Sequence, residues 1–475
     1  MKPIRNLRDY IEVCEAEGEV KRVKAEVDWD LELSHIAKIN EEQGGPALLF
    51  ENVKGCLGSV LIGVFSSPKR MAIALGMPPE YTMCQMADEW RRIGSRKPIP
   101  SVEVNTGPIM ENIVEEKDID LTKFPAPKYF PLDGGRFMGT SAFRITRDPE
   151  TGELEIGMGR MQLYDEKNVG LYLSPGRGGD KIRAKYEKLG KPAPFALVFG
   201  CDPALALASV MFIKGASKYD IAGTLRGIPV ETVVSDFTGL PIPAEAELVV
   251  EGFMDHDDLR PEGPFGDVTG LYTSELQKPI PKRFVKAKRV LYRNDPIMLA
   301  NSSGRPVSDV QMMISLPRTA ALWQELEAMK IPGIKSVYIP PQMAGRFWAI
   351  VSVKTQYPGH ANQVAHAVIS TTTGHLGIKG VIVVDDDIAA DDMDRVLWAL
   401  ATRYLPDRDT EIIKRGRSSP LDPAVPPETG YVEIISKILI DATVPYEWPQ
   451  KPVVAALDEE VVKKVKSRWK EYGLD

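Results

Sequence analysis

The central part of the chain repeats short strand patterns separated by turn residues, and this restricts the possible folds more than any other feature of the sequence. Segments 139–147 and 154–164 flank Asp148-Pro-Glu-Thr-Gly-Glu153, a turn sequence that predicts a hairpin. One helix is predicted at 184–189, and the remaining strand patterns lie at 195–199, 209–213, 230–234, 247–253 and 284–292. Many short strands with Gly-Pro corners predict a β-barrel.

The regions on either side alternate helical and strand periodicity, which is typical of α/β layers. Predicted helices cover 7–18, 31–42, 69–75, 83–93, 319–329, 361–369 and 392–404. Predicted strands cover 19–27, 47–52, 334–339, 347–353 and 380–384. We therefore predict an α+β protein with domains at 1–115, 116–305 and 306–450, followed by a charged amphipathic helix within 451–475.

Composition excludes several classes of protein. With 475 residues, 43% of them hydrophobic, the chain is long enough for several domains with their own cores. Its 59 Lys and Arg against 66 Asp and Glu give a net charge of −7, which argues against a nucleic-acid partner. The longest apolar runs fall far short of the roughly 20 residues of a membrane span. The polar N-terminus does not resemble a signal peptide, so we predict a soluble, cytoplasmic protein.

The segment Arg260-Pro-Glu-Gly-Pro-Phe-Gly-Asp-Val-Thr-Gly270 is the strongest candidate for chemistry. Its glycines and prolines exclude a helix interior and place Glu262 and Asp267 on a tight, rigid bend. Two neighbouring carboxylates resist simultaneous ionisation, and a carboxyl that keeps its proton near neutral pH suits a general acid. The alternative is a solvated turn, where acidic residues are common.

Two further segments are candidates for binding an anion. Arg160 follows Glu155 by five positions, and the glycines between them permit a bulge that turns both side chains toward one pocket. Arg160 would then bind a carboxylate or phosphate; an edge-strand salt bridge is the alternative. The glycine-rich loop Ser174-Pro-Gly-Arg-Gly-Gly-Asp-Lys181 enters a predicted helix and can offer backbone N–H groups to a phosphate, or be a plain loop.

Other common site patterns are missing from the sequence. The four cysteines lack C-x-x-C spacing, and the five histidines show neither H-x-x-x-H nor H-E-x-x-H. The acidic run 385–394 lacks the ligand spacing of a calcium loop, and no G-x-S-x-G elbow indicates a hydrolase triad. These absences disfavour zinc, calcium and serine-hydrolase sites.

Taken together, these segments resemble the UbiD family of reversible, non-oxidative decarboxylases over nearly the whole chain. The most specific element is Glu262-Gly-Pro-Phe-Gly-Asp267, followed by Gly-Met-Gly-Arg160 and Gly380-Val-Ile-Val-Val-Asp-Asp-Asp-Ile388. The length and the C-terminal segment are most similar to the branch that acts on aromatic acids, including phenylphosphate carboxylase subunits. The resemblance implies prenylated FMN supplied by a partner flavin prenyltransferase, a split β-barrel that binds it, a C-terminal oligomerisation domain, and a homo-oligomeric dimer or hexamer.

The resemblance also implies roles for three residues. Arg160, Glu262 and Asp267 match the family's catalytic network, in which Asp267 would protonate the carbon that loses carbon dioxide. The family often has Glu at the position of Asp267. Arg160 and Glu262 would hold the network and tune its charge, and the cofactor would act as the electron sink.

The sequence departs from the family where the cofactor phosphate is bound. The family's Asn, His and Glu ligands to a divalent metal such as manganese correspond here to Glu155, Gly176 and Lys218. We predict that no divalent metal binds and that Lys218 and Arg177 contact the phosphate directly, with Glu155 pairing Lys218. The remaining positions carried over from the family are Lys379 for the phosphate and Ser209 and Met211 for a potassium ion.

The predicted function is decarboxylation, or carboxylation, of an aromatic or α,β-unsaturated carboxylic acid. One alternative is a non-catalytic or atypical subunit of a multi-component, phenylphosphate-type carboxylase. A second is an ordinary flavin or nucleotide oxidoreductase, although the sequence lacks a dinucleotide-binding fingerprint after a strand.

Overall fold

The N-terminal region forms a small α/β layer. The computed structural model describes residues 4–93, 96–210, 217–272, 279–419, 421–425 and 434–474. Asn6 caps the first helix, since its side chain accepts a hydrogen bond from the Asp9 amide. The elements are α1 (Leu7–Ala16), β1 (Val20–Val23), α2 (Glu32–Glu42), β2 (Ala47–Phe50), β3 (Ser59–Ile62), α3 (Pro68–Ala74) and α4 (Met83–Ile93).

The central region is strand-rich, as predicted. Its strands are β4 (Val102–Glu103), β5 (Asn112–Glu115), β6 (Arg136–Gly139), β7 (Phe143–Arg147), β8 (Leu154–Met158), β9 (Met161–Leu163), β10 (Asn168–Gly170), β11 (Ala193–Phe199), β12 (Glu231–Val234), β13 (Pro241–Pro243), β14 (Leu248–Met254), β15 (Arg260–Glu262), β16 (Ile280–Lys282), β17 (Phe284–Tyr292) and β18 (Ile297–Ala300). Its helices are α5 (Gly178–Lys188), α6 (Pro203–Ser209) and α7 (Lys218–Arg226).

Most of these strands belong to one curved sheet. In the described part of the chain its order is β6-β9-β10-β17-β14-β11-β7-β8, with β5 pairing β17. The sheet is antiparallel throughout, which confirms the predicted split barrel. The strand β18 leaves this region and pairs parallel with β3, so the N-terminal sheet has the order β1-β2-β3-β18.

The central region differs from the sequence-based expectation in several places: its described residues form three helices, α5, α6 and α7, where one was predicted at 184–189, and two of the predicted strands also differ. Segment 154–164 forms two strands and not one. The first, β8, pairs with β7; after Gly159 the second, β9, pairs with β6. The strand predicted over 209–213 is wrong at Ser209, which ends α6. Asp202 caps that helix and Pro203 occupies its first turn, and the alanine-rich stretch that follows favours a helix.

The C-terminal region is a second α/β layer. It contains α8 (Asp309–Ala328), β19 (Ile334–Tyr338), β20 (Trp348–Val353), α9 (His360–Ser370), α10 (Thr372–His375), β21 (Gly380–Asp385), α11 (Met393–Thr402), α12 (Pro406–Asp409), β22 (Thr410–Arg417), β23 (Ile434–Ala442) and α13 (Glu459–Ser467). The sheet order is β19-β20-β21-β23-β22, with β20, β21 and β23 parallel. No helix in the described ranges combines the length and apolar character needed to cross a bilayer.

The helix α8 is longer than predicted and joins the three regions. It begins at Asp309 rather than near Thr319, and the Asp309 carboxylate is buried. That carboxylate accepts hydrogen bonds from the amides of Gly63 at 2.9 Å, Phe65 at 2.7 Å and Ser302 at 3.2 Å. The loops after β3 and β18 therefore hold the first turn of α8.

A second carboxyl beside this junction makes stability depend on pH. Burial and then the charge of Asp309 raise the pKa of Glu41 to about 7. The folded protein therefore binds the proton of the Glu41 carboxyl more tightly than the unfolded chain does. The protonated carboxyl stabilises the fold at pH 4.5, and this stabilisation is lost as the pH rises through about 7.

We expect Glu41→Gln to remove most of this pH dependence, because the amide cannot ionise. The wild-type free energy of unfolding should fall by about 2 kcal/mol more than that of the variant between about pH 5 and pH 8. Urea unfolding at the two pH values measures the difference. Equal pH slopes for the two proteins would show that Glu41 does not titrate in this range.

Candidate active site

The loop after β15 is held in place by a buried carboxylate. Asp133 accepts hydrogen bonds from the amides of Gly266 at 2.9 Å and Phe130 at 3.0 Å, and from the Tyr272 hydroxyl at 2.6 Å. A Cβ on Gly266 would lie 2.5 Å from the Phe130 ring, so the loop tolerates no side chain there. The bend predicted from sequence is therefore rigid and closely packed.

Arg160 lies at the break between β8 and β9 and binds Glu262 through two parallel hydrogen bonds. Arg160 Nε is 2.8 Å from Glu262 Oε1, and Nη2 is 3.0 Å from Oε2. The guanidinium also stacks over the Tyr172 ring at 4.5 Å. Burial lowers the pKa of Arg160, but the charges of Glu262 and Asp267 outweigh burial and raise it. The arginine is therefore a permanent cation.

Glu262 and Asp267 have different surroundings, although the sequence suggested a simple acid pair. Glu262 is only 2% exposed and is neutralised by Arg160. The Asp267 side chain is 20% exposed, and its Oδ2 lies 3.9 Å from Arg160 Nη1. The arginine between them relieves the repulsion expected of two adjacent carboxylates. Asp267 is the carboxyl of this group that remains accessible to a ligand.

A cavity of about 260 Å³ opens beside Asp267. Arg160 and Asp267 are its charged residues, and the rest of the wall is apolar or uncharged. Asn301 Oδ1 is buried there and has no hydrogen-bond donor in the described part of the chain, so a ligand N–H or O–H can bind it. The wall also includes Thr140, Met158, Gly159, Tyr172, Val210, Phe265, Val268, Ser303, Val310, Met313 and Ile314.

Glu155 binds Arg144 and not Lys218, which differs from our expectation. Arg144 Nη2 is 3.0 Å from Glu155 Oε1, whereas Lys218 has no ion pair among the described residues. The pair arises because Arg144 lies opposite Gly157 in the β7–β8 register, so Glu155 is its diagonal neighbour on the same face. Glu155 Oε2 is buried and finds no donor within the described ranges.

Lys218 is the first residue of α7 and lies within electrostatic range of Glu155. Burial lowers the pKa of Lys218 to about 8, and the charge of Glu155 opposes that shift. Arg177 precedes α5, is exposed and makes no side-chain capping bond. The helix α5 begins beside the Arg144–Glu155 pair, since a Cβ on Gly178 would lie 2.9 Å from Glu155 Cγ. Lys218 and the start of α5 thus both adjoin Glu155.

Three of the other predicted ligand positions lie within the described residues, and one does not. Gly176 lies in the exposed loop before α5 and adopts a positive φ of 70°. Ser209 is buried at the end of α6, and Met211 lies outside the described residues. Lys379 Nζ binds the buried Asp422 carboxylate at 2.8 Å, so its role at a phosphate stays a prediction.

The residues at the family's metal positions do not fit a divalent cation. Glycine offers no side-chain ligand, a lysine ammonium repels a cation, and Glu155 already binds Arg144. Within the described ranges, no three His, Cys, Asp or Glu side chains converge as such a site requires. The donor set fits an anion better than a metal ion.

Sequence reasoning missed several residues that shape this region. Asp133 and Asn301 carry no local motif, and their positions come from contacts with residues distant in sequence, Gly266 and Thr140 respectively. Two half-buried arginines of the C-terminal region, Arg318 and Arg346, also adjoin the site, because their charges interact with Arg177 and Asp267 respectively. No signal in a single sequence distinguishes such arginines from surface ones.

Comparison with known proteins decides the family. Models of the 3-octaprenyl-4-hydroxybenzoate carboxy-lyase UbiD match residues 11–90 as its N-terminal domain, 101–306 as its Rift-related domain and 311–442 as its C-terminal domain. The chain belongs to the UbiD family. It is therefore an enzyme of the carboxy-lyase class, and its three regions are the three UbiD domains.

Individual relatives cover almost the entire chain. An uncharacterized protein of Archaeoglobus fulgidus is 34% identical, with 98% of each chain covered. The open form of vanillic acid decarboxylase from Sedimentibacter hydroxybenzoicus superposes with a TM-score of 0.90 at 28% identity, covering 99% of this chain and 100% of that one. The UbiD-class enzyme HmfF of Pelotomaculum thermopropionicum, solved with FMN, gives 0.85 at 29% identity, with 96% and 98% covered. An evolved dimeric form of HmfF is solved with prFMN.

Proposed function

We propose that this UbiD enzyme removes carbon dioxide reversibly from an aromatic or α,β-unsaturated carboxylic acid, using prenylated FMN. The observation that carries the proposal is the Arg160–Glu262–Asp267 group at the wall of a largely apolar cavity. A vanillic acid decarboxylase among the structural relatives supports an aromatic substrate. A flavin prenyltransferase would supply the cofactor, and the dimeric HmfF form supports a homo-oligomer.

The wall of the cavity suits a flat, largely apolar acid better than a flexible polar ligand. Tyr172, Phe265 and Met313 supply apolar surface, and Asn301 Oδ1 can accept a hydrogen bond from the ligand. When bound, prenylated FMN would supply an electrophile and an electron sink for the carbon that bears the carboxylate. Its phosphate would lie near Lys218 and Arg177, the cations next to Glu155 and the start of α5.

The chain's own residues account for binding and for proton movement. Arg160 Nη1 faces Asp267, so it can attract the substrate carboxylate and keep Asp267 oriented. Asp267 Oδ2, the accessible carboxyl oxygen beside Arg160, would deliver the proton that replaces carbon dioxide on the substrate carbon. Glu262 fixes the arginine plane, and the apolar wall excludes water that would otherwise compete as a proton donor.

Lys218 provides a test of the phosphate site that does not depend on activity. We expect Lys218→Met to weaken FMN binding at neutral pH by about tenfold or more, because a charged hydrogen bond is lost. Since the lysine of the cofactor-free protein loses its proton above about pH 8, wild-type affinity should fall above that pH and the variant's should not. Fluorescence titration with FMN one pH unit below and one above this value measures both. Manganese bound stoichiometrically with the flavin would contradict this arrangement.

Co-expression with a flavin prenyltransferase tests the function itself. We expect a protein that carries prenylated FMN by absorbance and native mass, contains no stoichiometric divalent metal, and decarboxylates at least one member of a panel of hydroxybenzoic and cinnamic acids. A protein without flavin and without activity would instead favour the non-catalytic subunit of a multi-component carboxylase. Ordinary FMN with hydride-transfer activity would favour an oxidoreductase.

A further inference from the structure

Two arginines near the boundary between the barrel and the C-terminal domain, Arg318 and Arg346, form no salt bridge with any described residue, although Glu325 and Asp267 respectively lie within electrostatic range. Arg346 Nε and Nη1 and Arg318 Nε are shielded from solvent and have no hydrogen-bond acceptor among the described residues. Arg318 Nη2 donates to the Leu376 carbonyl at 3.3 Å, and no side-chain acceptor for Arg346 is present in the same ranges. Neither arginine forms a salt bridge there, in contrast to Arg160.

Such an arrangement is unfavourable unless something else balances it. The shielded nitrogens of these half-buried side chains lose their hydration and gain no acceptor in return among the described residues. Burial, followed by the charges of Arg346 and Arg177, lowers the pKa of Arg318 to about 9, and burial also lowers the pKa of Arg346. Several like charges gathered in one place are expected when a ligand supplies the opposite charge.

The position of the pair connects it with the active site. Val310 and Ile314 of α8 line the cavity, and Arg318 follows at the next i+4 position on the same helix face. Arg346 lies close enough to Asp267 for the two charges to interact, and Arg318 is similarly close to Arg177. The two arginines are therefore within electrostatic range of Asp267, on the loop after β15, and of Arg177, in the glycine-rich loop.

We propose that Arg318 and Arg346 form a binding site for an oxyanion group, assisted by Arg177. The planar guanidinium groups suit the paired oxygens of a carboxylate or phosphate. The group can come from the flavin phosphate or from a second acidic substituent on the substrate. The site itself does not rest on the proposed decarboxylation, because anion binding is measured on the cofactor-free protein.

The first experiment uses the full-length protein without cofactor and inorganic phosphate as the probe. Phosphate should raise the thermal unfolding midpoint relative to sodium chloride of equal ionic strength, because it binds the folded state. Arg346→Gln and Arg318→Gln should each weaken phosphate binding by about tenfold or more in calorimetry. Arg395→Gln, an exposed arginine of the same domain, is the matched control and should bind phosphate like the wild type.

The stability of the Arg346 variants distinguishes a role of this arginine in binding from a purely structural role. In buffer without multivalent anions, Arg346→Gln should unfold at the same temperature as the wild type or higher, because an uncompensated charge has been removed. Arg346→Lys should retain part of the phosphate affinity. A large loss of stability in both variants, with phosphate binding unaffected, would assign the arginine a structural role and overturn the proposal.

A second pair of titrations identifies the source of the anion. If Arg346→Gln weakens binding of FMN but not of riboflavin, the occupant is the cofactor phosphate. If FMN affinity is unchanged and the variant loses affinity for a benzenedicarboxylate but not for benzoate, the occupant is a second acidic group on the substrate. Unchanged affinity for phosphate, FMN and dicarboxylate alike would refute the site.

Discussion

Asp267→Asn is expected to reduce the decarboxylation rate by about 10²–10⁴-fold while leaving flavin binding intact. The amide has nearly the shape of the carboxyl group but cannot deliver a proton to the substrate carbon. Asp267 is also the accessible acid of the group, since Glu262 is only 2% exposed. The rate constant of the variant loaded with cofactor, measured under saturating substrate, gives the effect.

The control for this experiment is Asp118→Asn, which changes an exposed carboxylate outside the cavity wall. Its rate and flavin content should match those of the wild type. If Asp267→Asn kept more than about a tenth of the activity with normal flavin content, another group would have to deliver the proton, and Asp267 would not be the general acid.

Of the substitutions proposed here, removal of Arg160 from its ion pair with Glu262 should lower the free energy of unfolding the most. Arg160→Met leaves Glu262 buried without its counterion, which typically costs about 3–5 kcal/mol. The double variant Arg160→Met/Glu262→Leu should recover most of that loss, because the unpaired charge is gone, yet it should remain inactive. Urea unfolding of the four proteins in the cycle gives the coupling energy between the two side chains.

The activity of the double variant distinguishes the two roles of the pair. Recovered stability without recovered activity means that the ion pair is needed for catalysis more than for folding. A double variant as unstable as Arg160→Met would contradict this, since it would show that the loss comes from packing of the Met side chain and not from the stranded charge.

Local sequence signals predict those parts of the fold that depend on neighbouring residues. The β7–β8 hairpin follows from the turn at Asp148–Glu153, and the strand predicted over 284–292 has the observed limits. The strand prediction at Ser209 is wrong because the helix cap at Asp202 outweighs the apolar run that follows it. The first half of α8 is not predicted, because its start is determined by backbone donors from two distant loops.

The active site, like the fold, is predictable where local sequence signals mark its residues and not where contacts between distant segments place them. Arg160, Glu262 and Asp267 stand out because glycines and prolines surround them and because the family resemblance assigns them roles, and the structure brings them together. The pairing of Glu155 with Arg144 depends on the strand register, which the sequence does not specify locally. Arg318 and Arg346 are recognised only from guanidinium nitrogens that are shielded from solvent and have no acceptor in the described part of the chain, which is a property of the folded chain.

Two domains contribute residues to the cavity wall, and this affects how specificity for a new substrate can arise. Arg160 and Asp267 come from the barrel, whereas Val310, Met313 and Ile314 come from α8 at the start of the C-terminal domain. Substitutions along one turn of that helix can therefore reshape the pocket without touching the reacting groups. A lineage of such enzymes can exchange one acid for another by small changes in a single helix, while its chemistry is inherited unaltered.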